Sequence, residues 1–422
     1  MAATSVSSAL AQSPQKWVTS WTGSVQGPYP IGNPSAQPDL RFAFPSPEIG
    51  ACDQSFRLIV RPDLWGRQVR LRFSNALGTR SVTFDGVFVG LQQGAAMLVA
   101  GSNQPVSFAG GRSTTIAPGL SVWSDAVSLP FVHEPAAPEL LGRKLAVSFH
   151  VAGESGPMTW HAKALTTSYL TAPGAGAKGD AEDEQEFSFS TASWYFLDAL
   201  DMMAPADAST IVALGDSITD GDGSTPDANR RWPDYLAQRL ANPTCSVCLP
   251  TTFVVNAGIS GNRLLRYGAG PSALARFDRD VLSTPGGRYV ILLEGINDIG
   301  YDDETGVVVT VNDLIASYRQ LIRRAHSKGL YIYGGTLTPF HASVYDPFAA
   351  PRPDHESLRQ SVNGWIRTSG EFDAVIDFDA TVRDPAAPVQ LLAIYDSGDH
   401  IHPSDVGYQA MANAISLGLF GL

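Results

Sequence analysis

Apolar and polar residues change their rhythm partway along the chain. Between Trp17 and about Phe196 they alternate in short segments. Residues 68–73 (QVRLRF) place Val69, Leu71 and Phe73 on one face, and residues 145–151 (LAVSFHV) do the same. Turn-forming stretches at 75–78 (NALG), 108–111 (FAGG) and 117–119 (APG) separate such segments at short intervals, which predicts an antiparallel β-sandwich. The glycine-containing acidic stretch 173–186 (PGAGAKGDAEDEQE) reads as an exposed loop.

After about Pro205 the pattern becomes continuous apolar runs separated by helical periodicity. Residues 210–214, 253–256, 289–293 and 330–333 are the runs expected of parallel strands covered on both faces. Leu314, Tyr318, Leu321, Ile322 and Ala325 recur at helical spacing, with Gly329 as the stop. A further helix is expected over 356–368, and a last one opening at Pro403 and carrying Ala410, Ala412 and Ile415. Strand and helix in alternation imply a three-layer α/β domain. The expected division is a tail over 1–16, a β-sandwich over 17–204 and the α/β domain over 205–422, with no internal repeat.

Composition narrows the partners. With 422 residues, two domains are the default, and 44% hydrophobic against 17% charged residues fits a folded globular chain. No run of about 18 apolar residues is present to span a bilayer. A net charge of −12 without a basic cluster argues against nucleic acid as a partner. The three cysteines are too few for a disulfide framework, and Cys245-x-x-Cys248 lacks the second ligand pair of a zinc site. A bond between those two, or two reduced thiols, both stay open. The opening MAATSVSSALAQS ends in Ala9-Leu10-Ala11, which has the small-x-small character of an export cleavage site; the alternative is a disordered tail. The first reading places the protein outside the cytoplasm, secreted or periplasmic.

The stretch 215–224 (GDSITDGDGS) suggests two unrelated chemistries. As an EF-hand loop it begins acceptably at Asp220, Asp222 and Ser224. It then has Thr225 where the sharp turn needs glycine and Arg231 where the bidentate glutamate belongs. As a nucleophile turn it follows a buried strand, Gly215 permits the bend, and Ser217 projects at the strand's carboxyl end, where open α/β sheets place their ligands. A serine needs a base and the base an orienting acid. Residues 396–404 (DSGDHIHPS) supply both, since Asp399 and His402 lie three apart in one loop; His400 is the competing base. Two more strand ends, 256–262 (NAGISGN) and 294–298 (EGIND), offer donors for a developing oxyanion. The elbow G-x-S-x-G is absent, so a serine enzyme here has another architecture.

These residues resemble the SGNH superfamily of serine hydrolases, also called the GDSL family. Its four blocks stand here in order as Gly215-Asp216-Ser217, Asn256-x-Gly258-x-x-Gly261, Gly295-x-Asn297-Asp298 and Asp399-x-x-His402-Pro403, with Ile218 where the family name has leucine. The resemblance implies a flavodoxin-like SGNH hydrolase domain with a parallel sheet. Ser217 would be the nucleophile, His402 the base and then acid, and Asp399 the group orienting the imidazole. The N–H groups of Ser217 and Gly261 and the side chain of Asn297 would form the oxyanion hole. Asp216 would be structural and Asp298 would lie beside the hole. No metal or cofactor is implied.

The segment over 17–196 resembles the β-rich, jelly-roll-like N-terminal region of a bacterial subgroup described as secreted esterases or carbohydrate deacetylases, through 19–21 (TSW), 72–75 (RFSN) and 193–195 (SWY). The expected function is therefore carboxylic-ester hydrolysis through an acyl-enzyme, on a small-molecule or glycan ester of short acyl or acetyl type. Trp232, Phe340, His341 and Tyr345 are candidates to line its substrate pocket. Two alternatives stand beside it. One is a carbohydrate-binding protein, with Trp65, Trp123 or Trp160 stacking on sugars over a passive α/β domain. The other is acyl transfer by the same residues.

Overall fold

The computed structural model describes residues 14–32, 40–241, 251–301, 308–349 and 352–421. Cys245, Cys248 and the Ala9-Leu10-Ala11 stretch lie outside them. The chain opens with an antiparallel β-rich domain of two sheets. One orders the strands Gln15–Thr22, Leu197–Pro205, Gln68–Ser74 and Ser121–Trp123. The other is built around Cys52–Val60, Leu145–Glu154 and Val82–Gly94. Alternation sets which face is inside: Val69, Leu71 and Phe73 are wholly buried while Gln68, Arg70 and Arg72 reach the other side. Both sheets feed one core, where the ring of Phe73 meets that of Phe149 edge-on at 5.1 Å.

The acidic stretch 173–186 forms no regular element. It is nevertheless tied down, because the buried guanidinium of Arg57 donates to the carbonyls of Ala181 and Asp183.

The strand Leu197–Pro205 leads directly into a parallel sheet of five strands. These are β1 (Ser209–Gly215), β2 (Thr252–Gly258), β3 (Gly287–Leu293), β4 (Tyr331–Gly335) and β5 (Ala374–Ile376), in the order β2-β1-β3-β4-β5. That order puts the topological switch beside β1, the position where doubly wound sheets bind ligands at the strands' carboxyl ends. Every residue of β1 is buried, as a central strand covered on both faces requires. Gly215 pairs with Gly258 on one side and Leu293 on the other, so three strands end at one level.

The helix Val311–Ser327 buries Leu314, Tyr318, Leu321, Ile322 and Ala325 as its spacing predicts, and Thr310 caps it in a reciprocal box with Asp313. The final helix, Asp405–Ala414, differs from expectation at both ends. Ser404 is its N-cap, Pro403 lies before it in a bridge to Asp396, and Ile415 is already its C-cap. The serine hydroxyl accepts from the N–H of Gly407, which proline cannot do.

The two domains are hydrogen-bonded along β1 and β2. Thr22 donates to the Asn256 carbonyl, Thr210 to that of Thr19, and the Val254 N–H to Asp63. Among the described residues no helix is long and apolar enough to cross a membrane.

Candidate active site

Ser217 is the first residue of a one-turn helix, Ser217–Asp220, that leaves the end of β1. Asp216 caps the turn by accepting from the Ile218 N–H, and Gly221 closes it with a φ of 107°, a conformation few residues but glycine adopt. Two glycines let this turn sit on the sheet. A Cβ at Gly215 would meet Thr219 Oγ1 at 2.2 Å, and one at Gly258 would meet the Asp220 backbone nitrogen at 2.3 Å. The sequence therefore presses the serine against the strand ends.

The loop before the final helix brings the imidazole to it. His402 Nε2 lies 2.8 Å from Ser217 Oγ, and His402 Nδ1 lies 2.6 Å from Asp399 Oδ2. The other oxygen of Asp399 accepts the N–H groups of His402 and Ile401, so the carboxylate fixes both the ring and the backbone that carries it. Partial burial would raise the Asp399 carboxyl, but the His402 ring and these N–H groups hold it well below the usual carboxylate range. Burial alone would lower His402. The Asp399 hydrogen bond and the charges of Asp222 and Asp399 outweigh it and raise the imidazole. His400, the competing base, is turned out instead: it sits at a φ of 65°, pairs with Asp396 at 2.6 Å and is about half exposed.

Three donors face the same strand ends. Among the described residues no acceptor takes the N–H of Ser217 or of Gly261. Asn297, in the turn Ile296–Gly300, spends one hydrogen of Nδ2 on the Asn262 carbonyl at 2.8 Å, and among the described residues no acceptor takes the second. Its Oδ1 accepts the Tyr345 hydroxyl, which fixes the amide's orientation. Asp298 stands beside this group and accepts the N–H groups of Leu264 and Leu265, holding the turn that carries Gly261. Burial raises its carboxyl to about 6, against those two hydrogen bonds. The structure thus gathers Ser217, Gly261, Asn297, Asp399 and His402 in one place.

The four pocket-lining candidates are not gathered in this way. Trp232 opens a helix and is wholly buried, its ring 5.6 Å from that of Phe378. Phe340 is also fully buried, edge-on to Tyr345. Both are core side chains, so neither lines an open pocket. His341 pairs with Asp346 at 2.5 Å beside Phe348, and Tyr345 acts on Asn297. Of the three tryptophans expected to stack on sugar, two have no open face. Trp65 and Trp160 are buried, and Trp123 is covered by the guanidinium groups of Arg70 and Arg72.

Several contributors carry no local signal in the sequence. Arg276 is wholly buried and donates to Asn262 Oδ1, the carbonyls of Ala257 and Gly215, and Asp280, joining the ends of β1 and β2. Asp222 lies with its Oδ2 3.7 Å from His402 Nε2. It pairs with Lys163 from the β-rich domain at 2.5 Å. Asp220 pairs with His161 at 3.2 Å, so the calcium-like half of 215–224 is committed to side chains of the protein itself. Among the described residues no group of three His, Cys, Asp or Glu side chains is placed to hold a metal ion.

Residues 213–410 match the model of the GDSL-like lipase/acylhydrolase family. No curated protein matches the chain. Solved structures similar to it include a GDSL-like lipase from Bacteroides thetaiotaomicron, at 18% identity over 50% of this chain and 88% of that one, with a TM-score of 0.38. A member of the lipolytic G-D-S-L family from Veillonella parvula is 21% identical over 51% of this chain and 99% of that one, with a TM-score of 0.37. A protein described as an arylesterase from Agrobacterium tumefaciens is 18% identical over 50% and 99%, with a TM-score of 0.37.

Proposed function

We propose that the protein is a serine carboxylic-ester hydrolase that works through an acyl-enzyme. The observation that carries this is His402 standing between Ser217 Oγ at 2.8 Å and Asp399 at 2.6 Å. In this reading Ser217 Oγ attacks the ester carbonyl while His402 Nε2 takes its proton, and Asp399 stabilises the imidazolium that forms. The negative charge moves to the carbonyl oxygen, within reach of the Ser217 and Gly261 N–H groups and the second hydrogen of Asn297 Nδ2. Collapse expels the alkoxide, which leaves as the alcohol with the proton from His402. Water then attacks the acyl-serine with His402 again as base, releasing the acid and restoring Ser217.

The acyl group we propose is short, an acetyl or a few carbons. Two aromatic side chains expected at the pocket support this choice, because Phe340 is packed in the core and Tyr345 is hydrogen-bonded to the Asn297 amide, leaving neither to line a long slot. Trp65 and Trp160 are buried and Trp123 carries the Arg70 guanidinium over its ring, which disfavours a pure sugar-binding role. The test is a series of p-nitrophenyl esters of increasing chain length beside acetylated xylan, with Ser217→Ala as control. Turnover should be greatest at two to four carbons and vanish in the variant. Hydrolysis by Ser217→Ala at more than a tenth of the native rate contradicts the mechanism, and a preference for long chains contradicts the substrate class.

A further inference from the structure

The acidic residues after the candidate nucleophile are bound by the β-rich domain in register. His161 pairs with Asp220 and Lys163 with Asp222, the same two-residue step on both segments, and all four side chains are nearly inaccessible. Ser260 locks both carboxylates from the other side, its N–H donating to Asp220 at 2.9 Å and its hydroxyl to Asp222 at 2.9 Å. Further along, Asp227 donates its N–H to the Leu165 carbonyl and accepts from Thr167, and Arg231 donates to the carbonyl of Ala164. One strip of the β-rich domain, 161–167, therefore holds the loop at Asp220, Asp222, Asp227 and Arg231.

Stability is a poor reason for the Lys163–Asp222 pair. A buried ion pair typically gains little over well-packed apolar residues of similar size. Its position is more informative: the Asp222 oxygen that holds Lys163 is the one 3.7 Å from His402 Nε2, and the other oxygen of Asp222 has no hydrogen-bond partner among the described residues. When His402 carries the serine proton, that proton sits on Nε2, between the leaving group and Asp222. An uncompensated carboxylate there would hold the imidazolium and delay delivery of the proton.

We infer that Lys163, supplied by the β-rich domain, is a positioning residue of the catalytic site, which neutralises Asp222 and so keeps the His402 Nε2 proton exchanging with Ser217 and the leaving group. This rests on the serine-hydrolase reading of the same site. The charged and titratable groups facing His402 are few. Asp399 lies on its own loop, Asp216 caps the serine turn, Asp222 follows that turn, and Lys163 comes from the other domain. Tyr408 of the final helix reaches the Asp222 carbonyl rather than the ring. Of these, Asp222 and Asp399 raise the imidazole and Lys163 lowers it.

The test is the pH dependence of kcat/KM for p-nitrophenyl acetate in the full-length protein and its variants. A charge at this distance moves an imidazole by about 1–3 pH units when unscreened. Lys163→Met should move the acid limb up by about one pH unit, Asp222→Asn should move it down by about one, and the double variant should return near the native limb. Lys163→Arg should keep the native limb. Thermal unfolding checks each fold; if Lys163→Met does not fold, the Asp222→Asn shift and its cancellation in the double variant decide. Limbs that coincide in native, Asp222→Asn and Lys163→Met proteins overturn the role of Lys163. Ser217→Ala separates the two levels: activity surviving in it refutes the hydrolase reading itself, whereas activity lost in it with coincident limbs refutes Lys163 alone.

Discussion

The Tyr345 hydroxyl donates to Asn297 Oδ1 while Asn297 Nδ2 donates to the Asn262 carbonyl, so the amide is held from both ends with one hydrogen left over. Tyr345 is buried and its ring packs against Phe340 and Tyr301, which leaves the hydroxyl little freedom to do anything else. Removing that hydroxyl should let the amide turn without disturbing the core. Tyr345→Phe should therefore lower kcat about tenfold with KM nearly unchanged, since one net hydrogen bond is worth about 1.4 kcal/mol. Steady-state kinetics decide it, and a KM effect with intact kcat would place Tyr345 in substrate binding instead.

Asn297→Ala removes the donor itself. Loss of one oxyanion donor costs about 100-fold to 1000-fold in turnover. The expected result is a kcat reduced by that factor in a protein that still folds. A loss below about threefold would remove Asn297 from the oxyanion hole.

Arg276 carries a structural prediction. Its guanidinium ties the Gly215 and Ala257 carbonyls to Asn262 and Asp280, and the side chain is entirely inaccessible. Arg276→Met leaves those acceptors buried and the Asp280 carboxylate with one cation fewer. Breaking a buried pair from one side costs about 3–5 kcal/mol. Urea unfolding should show a loss in that range, and a loss under about 1 kcal/mol would contradict the role given to this residue.

Asp216 fixes a pH dependence of stability. It is almost fully buried, and burial raises its carboxyl from 3.8 to about 7 against the hydrogen bond from Ile218 and the charge of His402. The folded state thus keeps a proton that the unfolded chain has already lost, so this contribution is present at acid pH and is lost as pH rises from about 4 through 7. Glu294 shifts in the same direction, raised by its burial and by Asp216. Asp216→Asn should shrink the fall in urea midpoint between pH 5 and pH 8. An equal fall in both proteins would show that Asp216 is ionised in the fold throughout.

The residues of the candidate site differ in how far the sequence reveals them. The turn at Ser217 and the pair Asp399 and His402 are local: each is built from neighbours three or fewer positions apart, so spacing alone carries the geometry. Tyr345 meets Asn297 across 48 residues, Lys163 meets Asp222 across 59 and Arg276 meets Gly215 across 61. No local pattern encodes such contacts. Trp232 had a signal that was open to reading, because Leu236 and Leu240 repeat its face at helical spacing and all three are buried. The short strand Ala374–Ile376 has only three residues, too few for any periodicity to show. Asp220 and Asp222 resemble cation ligands because their partners, His161 and Lys163, come from the other domain.

The most direct measurement is mass spectrometry of the active protein after treatment with a fluorophosphonate, which forms a stable adduct only with an activated hydroxyl. One phosphonyl group should appear on the peptide that contains Ser217, with activity lost in proportion, and neither His402→Ala nor Asp399→Asn should label at the native rate. A fully active protein with no adduct on Ser217, or an adduct on another serine that tracks the loss of activity, would contradict the proposed mechanism.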